Sequence, residues 1–290
     1  MTQITADGAC YNVRVEGSGP PLLLIHGFTG RGSNWAPLLT ELRRVATTVV
    51  VDLLGHGNSD SPTDPERHAI ERQAADIVAI LRRLRLAPAT VMGYSMGARV
   101  ALRLAVTTPN VVSRLILESP SAGIADPELR AARRASDEEL AQLVERDGIA
   151  AFVDRWENLP IFASEQSLPS EVRARHHAER LRCRPHALAA SLRGAGQASM
   201  EPLHGRLGSV AAPTLVIAGE LDKVGLPRAE SIARGIRGGE LAVVAGAGHA
   251  PHREQPAAVT GLILDFLARP VARRQAAPLL APPSSERSRQ

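Results

Sequence analysis

Aromatic side chains make up only 3% of this 290-residue sequence. Surfaces that stack single-stranded bases need rows of them, so that mode of nucleic-acid binding has no platform here. Cysteine is scarcer still, with Cys10 and Cys183 alone. Two such distant thiols build no disulfide framework and have no metal-ligand spacing. A reducing cytoplasm is therefore the expected compartment, and no metal or organic cofactor is expected. No apolar run approaches the roughly 20 residues a membrane-spanning helix requires. The stretch from Met1 to Cys10 lacks the basic and apolar regions of a secretion signal. Lysine occurs once, at Lys223, so arginine carries nearly all the positive charge. The net charge is +4, and residues 270–290, with four arginines and one glutamate, account for three of those charges. The remaining body is close to neutral, which argues against a nucleic-acid partner.

What is present is enough apolar material, 44% of residues, for one large core with length to spare for an insertion. Tyr11 to Val15 alternates as a half-buried strand. Pro21 to Ile25 and Thr47 to Val51 are continuous apolar runs, the pattern of strands covered on both faces. Helical periodicity is expected over Ser33–Arg43, Glu66–Leu86 and Ala98–Ala105, with further strands at Ala89–Met92 and Val112–Leu117. Strands alternating with helices of this length give a parallel sheet with right-handed crossovers. The rhythm breaks over residues 122–198, where charged helical stretches (Pro127–Glu145, Gly148–Glu157, Ser170–Leu181, His186–Leu192) contain no β run. It resumes with a strand at Pro213–Gly219, a helix near Pro227–Ile236, a strand at Glu240–Val244 and a helix at Glu254–Leu267. The expected organisation is a core of residues 1–121 and 199–269, a helical cap of residues 122–198, and a disordered Pro-, Ser- and Arg-rich tail of residues 270–290.

The chemistry centres on Gly93-Tyr94-Ser95-Met96-Gly97, a Gly-x-Ser-x-Gly motif between the strand at 89–92 and the helix that follows. This is the context of a nucleophile elbow, which raises a serine hydroxyl above a parallel sheet. A serine needs a base to take its proton. His249, just past the last strand, is the candidate, with Asp222, past the strand before it, as the acid that orients its ring. The order Ser, Asp, His, each at the C-terminal end of a strand, is that of the α/β-hydrolase fold. The mostly parallel sheet therefore carries helices on both faces and an inserted cap. Glu118, which ends the strand after the elbow, is the rival acid; His26, His56 and His252 rank below His249 as bases. The bland alternative makes His249 a loop histidine and Asp222 a turn former. His26 and Asp52 are read as hydrogen-bonding braces of the loop after the second strand, Pro21–Ile25. The amides of Phe28 and Met96 are the expected donors to a developing oxyanion, their side chains serving as packing.

Beyond the elbow, the sequence resembles the family of 2-succinyl-6-hydroxy-2,4-cyclohexadiene-1-carboxylate synthases of menaquinone biosynthesis. The shared pieces include Gly-Tyr-Ser-Met-Gly-Ala-Arg at 93–99, Arg-Arg-Ala-Ser-Asp-Glu-Glu-Leu-Ala at 133–141, Phe-Val-Asp-Arg-Trp-Glu-Asn-Leu-Pro-Ile-Phe at 152–162 and Gly-Ala-Gly-His-Ala-Pro-His-Arg-Glu at 246–254. The resemblance implies a cofactor-independent carbon–oxygen lyase that acts on a small anionic polycarboxylate and releases pyruvate. Such a substrate calls for arginine, whose planar fork meets a carboxylate with two hydrogen bonds. Arg99 lies one turn past Ser95, where an anion would sit. By resemblance Arg133 and Arg180 bind further carboxylates, Arg134 replacing Arg133 if the register shifts by one, while Tyr94 and Trp156 line the pocket. Two departures stand out. Ala98 occupies a position where the family commonly has glycine, and Lys223 directly follows Asp222 instead of lying two residues beyond it. Two other readings of the same fold remain, a serine hydrolase of esters or carbon–carbon bonds and a ligand-binding protein without turnover.

Overall fold

Runs of apolar residues too short for a helix, each ending in glycine or a polar turn, become strands, and the computed structural model shows this over the residues it describes, 2–270. The chain opens with β1 (Thr2–Ala6) and β2 (Ala9–Gly17), followed by β3 (Pro21–Ile25), α1 (Ala36–Val45), β4 (Thr47–Val51), α2 (Ile70–Arg83), β5 (Ala89–Tyr94), α3 (Met96–Thr107) and β6 (Val112–Glu118). Three helices then intervene, α4 (Pro127–Glu157), α5 (Ser170–Leu181) and α6 (Pro185–Ala195). The sheet resumes with β7 (Thr214–Gly219), α7 (Gly225–Gly235) and β8 (Gly239–Val244), and the described chain ends with α8 (Pro251–Glu254) and α9 (Pro256–Ala268).

The eight strands form one sheet in the order β1-β2-β4-β3-β5-β6-β7-β8, parallel from β4 to β8 and antiparallel only at β1–β2 and β2–β4. Side chains of β3 alternate between the two faces. Leu23 and Ile25 join the core under α2 and α3, and Leu22 and Leu24 join the one under α1 and α9. All four are fully buried, each contributing about 1.5–3 kcal/mol through the area removed from water. A third cluster, built from Ala141, Val144, Phe152, Val153, Leu188 and Leu192, holds the inserted helices together. No helix among the described residues is long and apolar enough to cross a membrane.

The structure departs from the sequence expectations at several turns, each with a local cause. β1 is an additional strand, paired to β2 through Asp7-Gly8, both at positive φ (43° and 73°), the turn geometry that Asp-Gly favours in a two-residue hairpin. The helix expected over 66–86 is a short 3₁₀ turn at Pro65–His68 followed by α2, because Ala69 between them is extended (ψ 139°). The closing helix is split at Gln255, whose following proline disfavours helical backbone there. Within α4, Gly148 at φ 81° interrupts the helix at the boundary between the two stretches read from the sequence. Pro160–Ser167, which had no expected structure, is a 3₁₀ segment. The tail expected to be disordered lies, from residue 271 onward, outside the described residues.

Candidate active site

Ser95 sits between β5 and α3 at φ 50°, ψ −104°, a conformation that costs a non-glycine residue about 1–3 kcal/mol. Its surroundings hold it there: the Ser95 amide donates to the Glu118 carbonyl at 2.9 Å. A Cβ on Gly93 would strike the backbone of Gly97, and one on Gly97 would strike the carbonyls of Ile25 and His26. Both glycines are thus required by close backbone approach, as the motif suggests. The strained turn points the serine hydroxyl away from the sheet and places the Met96 amide in the first turn of α3, where helical N–H groups have no partner within the helix.

Two loops bring the other members to it. The turn after β7 is tied to the turn after β8, the Leu221 amide donating to the Ala247 carbonyl at 2.8 Å. His249 Nδ1 donates to Asp222 Oδ2 at 2.7 Å, and Ser95 Oγ donates to His249 Nε2 at 3.1 Å. The second carboxylate oxygen of Asp222 accepts from the Gly225 amide at 2.7 Å. Burial disfavours the Asp222 charge. The hydrogen bond and charge of His249, with the amides of Gly225 and Val224, outweigh that penalty and hold its pKa below the usual carboxylate value. Ser95, Asp222 and His249 are therefore brought together over the C-terminal edge of the sheet.

Glu118, the rival acid, is fully buried but turned elsewhere: its Oε1 accepts from both the amide and Nδ1 of His252 at 2.8 Å. His26 accepts from the Leu53 amide at 3.0 Å through Nε2 and donates from Nδ1 to the Gly27 carbonyl. Asp52 accepts from the Gly32 and Asn58 amides and from Asn12 Nδ2. The two residues thus tie the loop after β3, through Gly27 and Gly32, to the segment after β4, through Leu53 and Asn58. One support escaped the sequence reading. Glu254 accepts from the amides of Gly248 (2.8 Å) and Ala250 (3.0 Å), clamping the backbone on either side of His249, and the Ser119 hydroxyl donates to the His249 carbonyl.

The triad opens into a cavity of about 680 Å³ between the sheet edge and the inserted helices. Phe28, Tyr94, Met96, Trp156 and the three expected arginines, Arg99, Arg133 and Arg180, all line it; Arg134 does not, and instead donates to the Ala198 carbonyl at 3.1 Å. Phe28 and Trp156 pack edge to face at 5.1 Å, and Trp156 stacks on Phe152 at 5.7 Å, so Trp156 serves the cap core and the pocket wall at once. Burial raises the Tyr94 phenol well above its usual range, against the opposing charge of Arg253. Arg99 is buried and donates to the Ala195 carbonyl; burial, reinforced by the neighbouring charge of Arg133, lowers its pKa to about 9, so it remains a cation at neutral pH. Arg133 is half-buried and paired to Asp137 at 2.8 Å. Arg180 is held by Glu157 at 2.9 Å and Glu165 at 3.0 Å. Lys223, Arg228 and Arg253 also reach the cavity, giving six cations on its wall against two carboxylates, Asp137 and Asp222. Arg228 had no signal of its own among so many arginines, and Arg253, though inside the shared piece at 246–254, was given no role. Among the described residues, no group of three or more histidine, cysteine or acidic side chains has metal-site geometry.

Comparison with known proteins identifies the family and the fold. Residues 22–262 match the alpha/beta hydrolase family. The chain is 36% identical over 264 residues to a putative 2-succinyl-6-hydroxy-2,4-cyclohexadiene-1-carboxylate synthase of Bacillus subtilis, spanning 90% of this chain and 96% of that protein. Its fold superposes on MenH from S. aureus with a TM-score of 0.85 at 31% identity, covering 89% of this chain and 97% of the other. A thermophilic esterase from Thermogutta terrifontis, solved with malate bound, gives 0.81 at 26% identity, covering 92% and 98%. The chain belongs to the alpha/beta hydrolase family and, within it, to the family of 2-succinyl-6-hydroxy-2,4-cyclohexadiene-1-carboxylate synthases.

Proposed function

We propose that the protein is a lyase that eliminates pyruvate from 2-succinyl-5-enolpyruvyl-6-hydroxy-3-cyclohexene-1-carboxylate, forming 2-succinyl-6-hydroxy-2,4-cyclohexadiene-1-carboxylate for menaquinone biosynthesis. The observation that carries this reading is a Ser95–His249–Asp222 relay facing a cavity whose wall bears six cations and two carboxylates. A neutral ester needs only the relay, whereas a polycarboxylate needs both.

In this reading His249 draws the proton from Ser95, and the serine oxygen removes the ring proton next to the succinyl carbonyl. The electron pair moves onto that carbonyl oxygen, where the Phe28 and Met96 amides receive it. The pair then returns to form the second ring double bond as the carbon–oxygen bond to the enolpyruvyl group breaks. The departing enolate takes the proton carried by His249 and tautomerises to pyruvate. No acyl-enzyme forms. Asp222 keeps the imidazole in the tautomer that accepts from serine, while Arg99, Arg133 and Arg180 take substrate carboxylates and Tyr94 and Trp156 shape the pocket. Residues 122–198 act as the cap that closes over the substrate. Free Cys183, which is buried, and Cys10 suit the reducing cytoplasm proposed as its compartment.

The test is pyruvate release from the enolpyruvyl substrate, followed by coupled reduction with lactate dehydrogenase. Wild type should turn over, and Ser95→Ala should lose at least about 10³-fold in kcat. No release by wild type would sink the proposal. The likeness to an esterase supports a second reading, ester hydrolysis, which predicts rapid turnover of neutral nitrophenyl esters that Arg99→Ala leaves unchanged.

A further inference from the structure

The three arginines that the family resemblance picks out are already engaged with protein groups, Arg99 with the Ala195 carbonyl, Arg133 with Asp137, and Arg180 with Glu157 and Glu165. Arg253 is not. Its side chain is only 8% exposed, it lines the cavity, and its guanidinium makes no hydrogen bond among the described residues. The carboxylate facing it, Glu165 Oε1, stands 3.8 Å from its NH1, close enough for attraction and too far for a hydrogen bond. That oxygen and Arg253 Nε are both buried without a partner, as is Nε of neighbouring Arg180. A buried guanidinium with unmade hydrogen bonds is costly, and its retention calls for an explanation.

Position supplies one. Arg253 belongs to α8, which begins two residues after His249, and the Glu254 clamp on the His249 loop fixes its backbone. On its other side, Glu165 lies in the 3₁₀ segment Pro160–Ser167 of the insertion, the same segment that sends Ile161 and Phe162 to the cavity wall. Glu165 thus draws Arg180 and Arg253 toward one point between the catalytic loop and the inserted helices. Arg180 and Arg253 both line the cavity, and the N–H groups of the two forks that Glu157 and Glu165 do not take can meet a planar oxyanion there.

We propose that Arg253 is a further substrate-binding residue, which together with Arg180 receives one carboxylate of the anionic substrate, Glu165 keeping both guanidiniums aimed at the cavity. This rests on the polycarboxylate reading above and adds a binding residue to the same site.

The experiment compares wild type, Arg253→Met and Arg253→Lys in steady-state pyruvate release, with calorimetric titration of tricarballylate, a simple tricarboxylate, into each. Arg253→Met should raise KM about 10- to 100-fold, with kcat within about threefold of wild type, as loss of a charge-assisted pair predicts. Arg253→Lys should fall between, since an ammonium keeps the charge and loses the fork. Tricarballylate should bind wild type and weaken in the same order. Should Arg253→Met fail to fold, Arg253→Lys decides, and a wild-type KM in that variant overturns the proposal. Unchanged KM and tricarballylate affinity in the folded variants, or a loss confined to kcat, also overturns it by making Arg253 a framework residue. Absence of pyruvate release from wild type is a failure of the lyase reading alone. The titration then still decides: weaker binding by Arg253→Met upholds the anion role, and equal binding, or none to wild type, defeats it.

Discussion

Asp222 and Glu118 are two buried carboxylates that the sequence places at neighbouring strand ends, and their hydrogen bonds separate their tasks. Asp222→Asn replaces the acceptor that fixes the His249 tautomer. It should lower kcat by about 10³- to 10⁴-fold in the pyruvate assay while the far-ultraviolet circular dichroism stays native. Glu118→Gln weakens the bonds to His252 instead. It should cost about 1–3 kcal/mol in urea unfolding and leave kcat within about threefold. The sequence named both candidates because both sit at strand C-termini. The order Ser, Asp, His favours Asp222 and leaves Glu118 as the rival, and the structure shows which histidine each faces, across a 27-residue and a 134-residue separation.

At the scale of the element, the long inserted helix α4 decides which of two adjacent arginines reaches the cavity. Neighbouring positions on a helix point about 100° apart, so a one-residue shift in register exchanges their roles. Arg133 faces the cavity and Arg134 the Ala198 carbonyl. Arg133→Met should therefore raise KM about tenfold or more, whereas Arg134→Met should keep it within about twofold, as steady-state kinetics will show. The ends of most elements were legible because they carry local chemistry: the glycines around Ser95, the glycine inside α4, the alternation of β2. The segments that were missed, β1 and the 3₁₀ turn at Pro160–Ser167, are short and draw their stability from neighbours. The periodicity of so few residues cannot distinguish them from loop.

For the whole molecule, burial governs the response to acid. His26 and His56 are fully buried, and desolvation holds both imidazoles below their ordinary range; His68 and His176 shift the same way, His176 to about 3. The folded protein keeps these rings neutral, while the unfolded chain protonates them near pH 6.5. Below that value the unfolded state binds more protons, so stability is full above about pH 6.5 and falls as the pH drops toward the folded-state values. Each fully buried ring can contribute up to about 1.4 kcal/mol per pH unit. Urea unfolding from pH 7.5 to 5.5 should show the unfolding free energy decreasing, with uptake of more than one proton on unfolding. A flat profile would contradict the neutral state of these rings.

The sequence by itself determined the sheet-and-helix alternation, the strained serine turn, the order of the three triad members and the family resemblance. All of these are written in spacing along the chain, in residues whose backbone freedom or side-chain chemistry acts over a few positions. Tertiary structure decided the rest: that Glu118 turns to His252, that Glu254 clamps the His249 loop, and that Arg253 and Arg228 join the arginines of the cavity wall. With arginine supplying almost every positive charge, composition cannot mark which guanidiniums turn inward. That is settled only when the inserted helices dock on the sheet edge and bury some of these side chains beside carboxylates while leaving others in water.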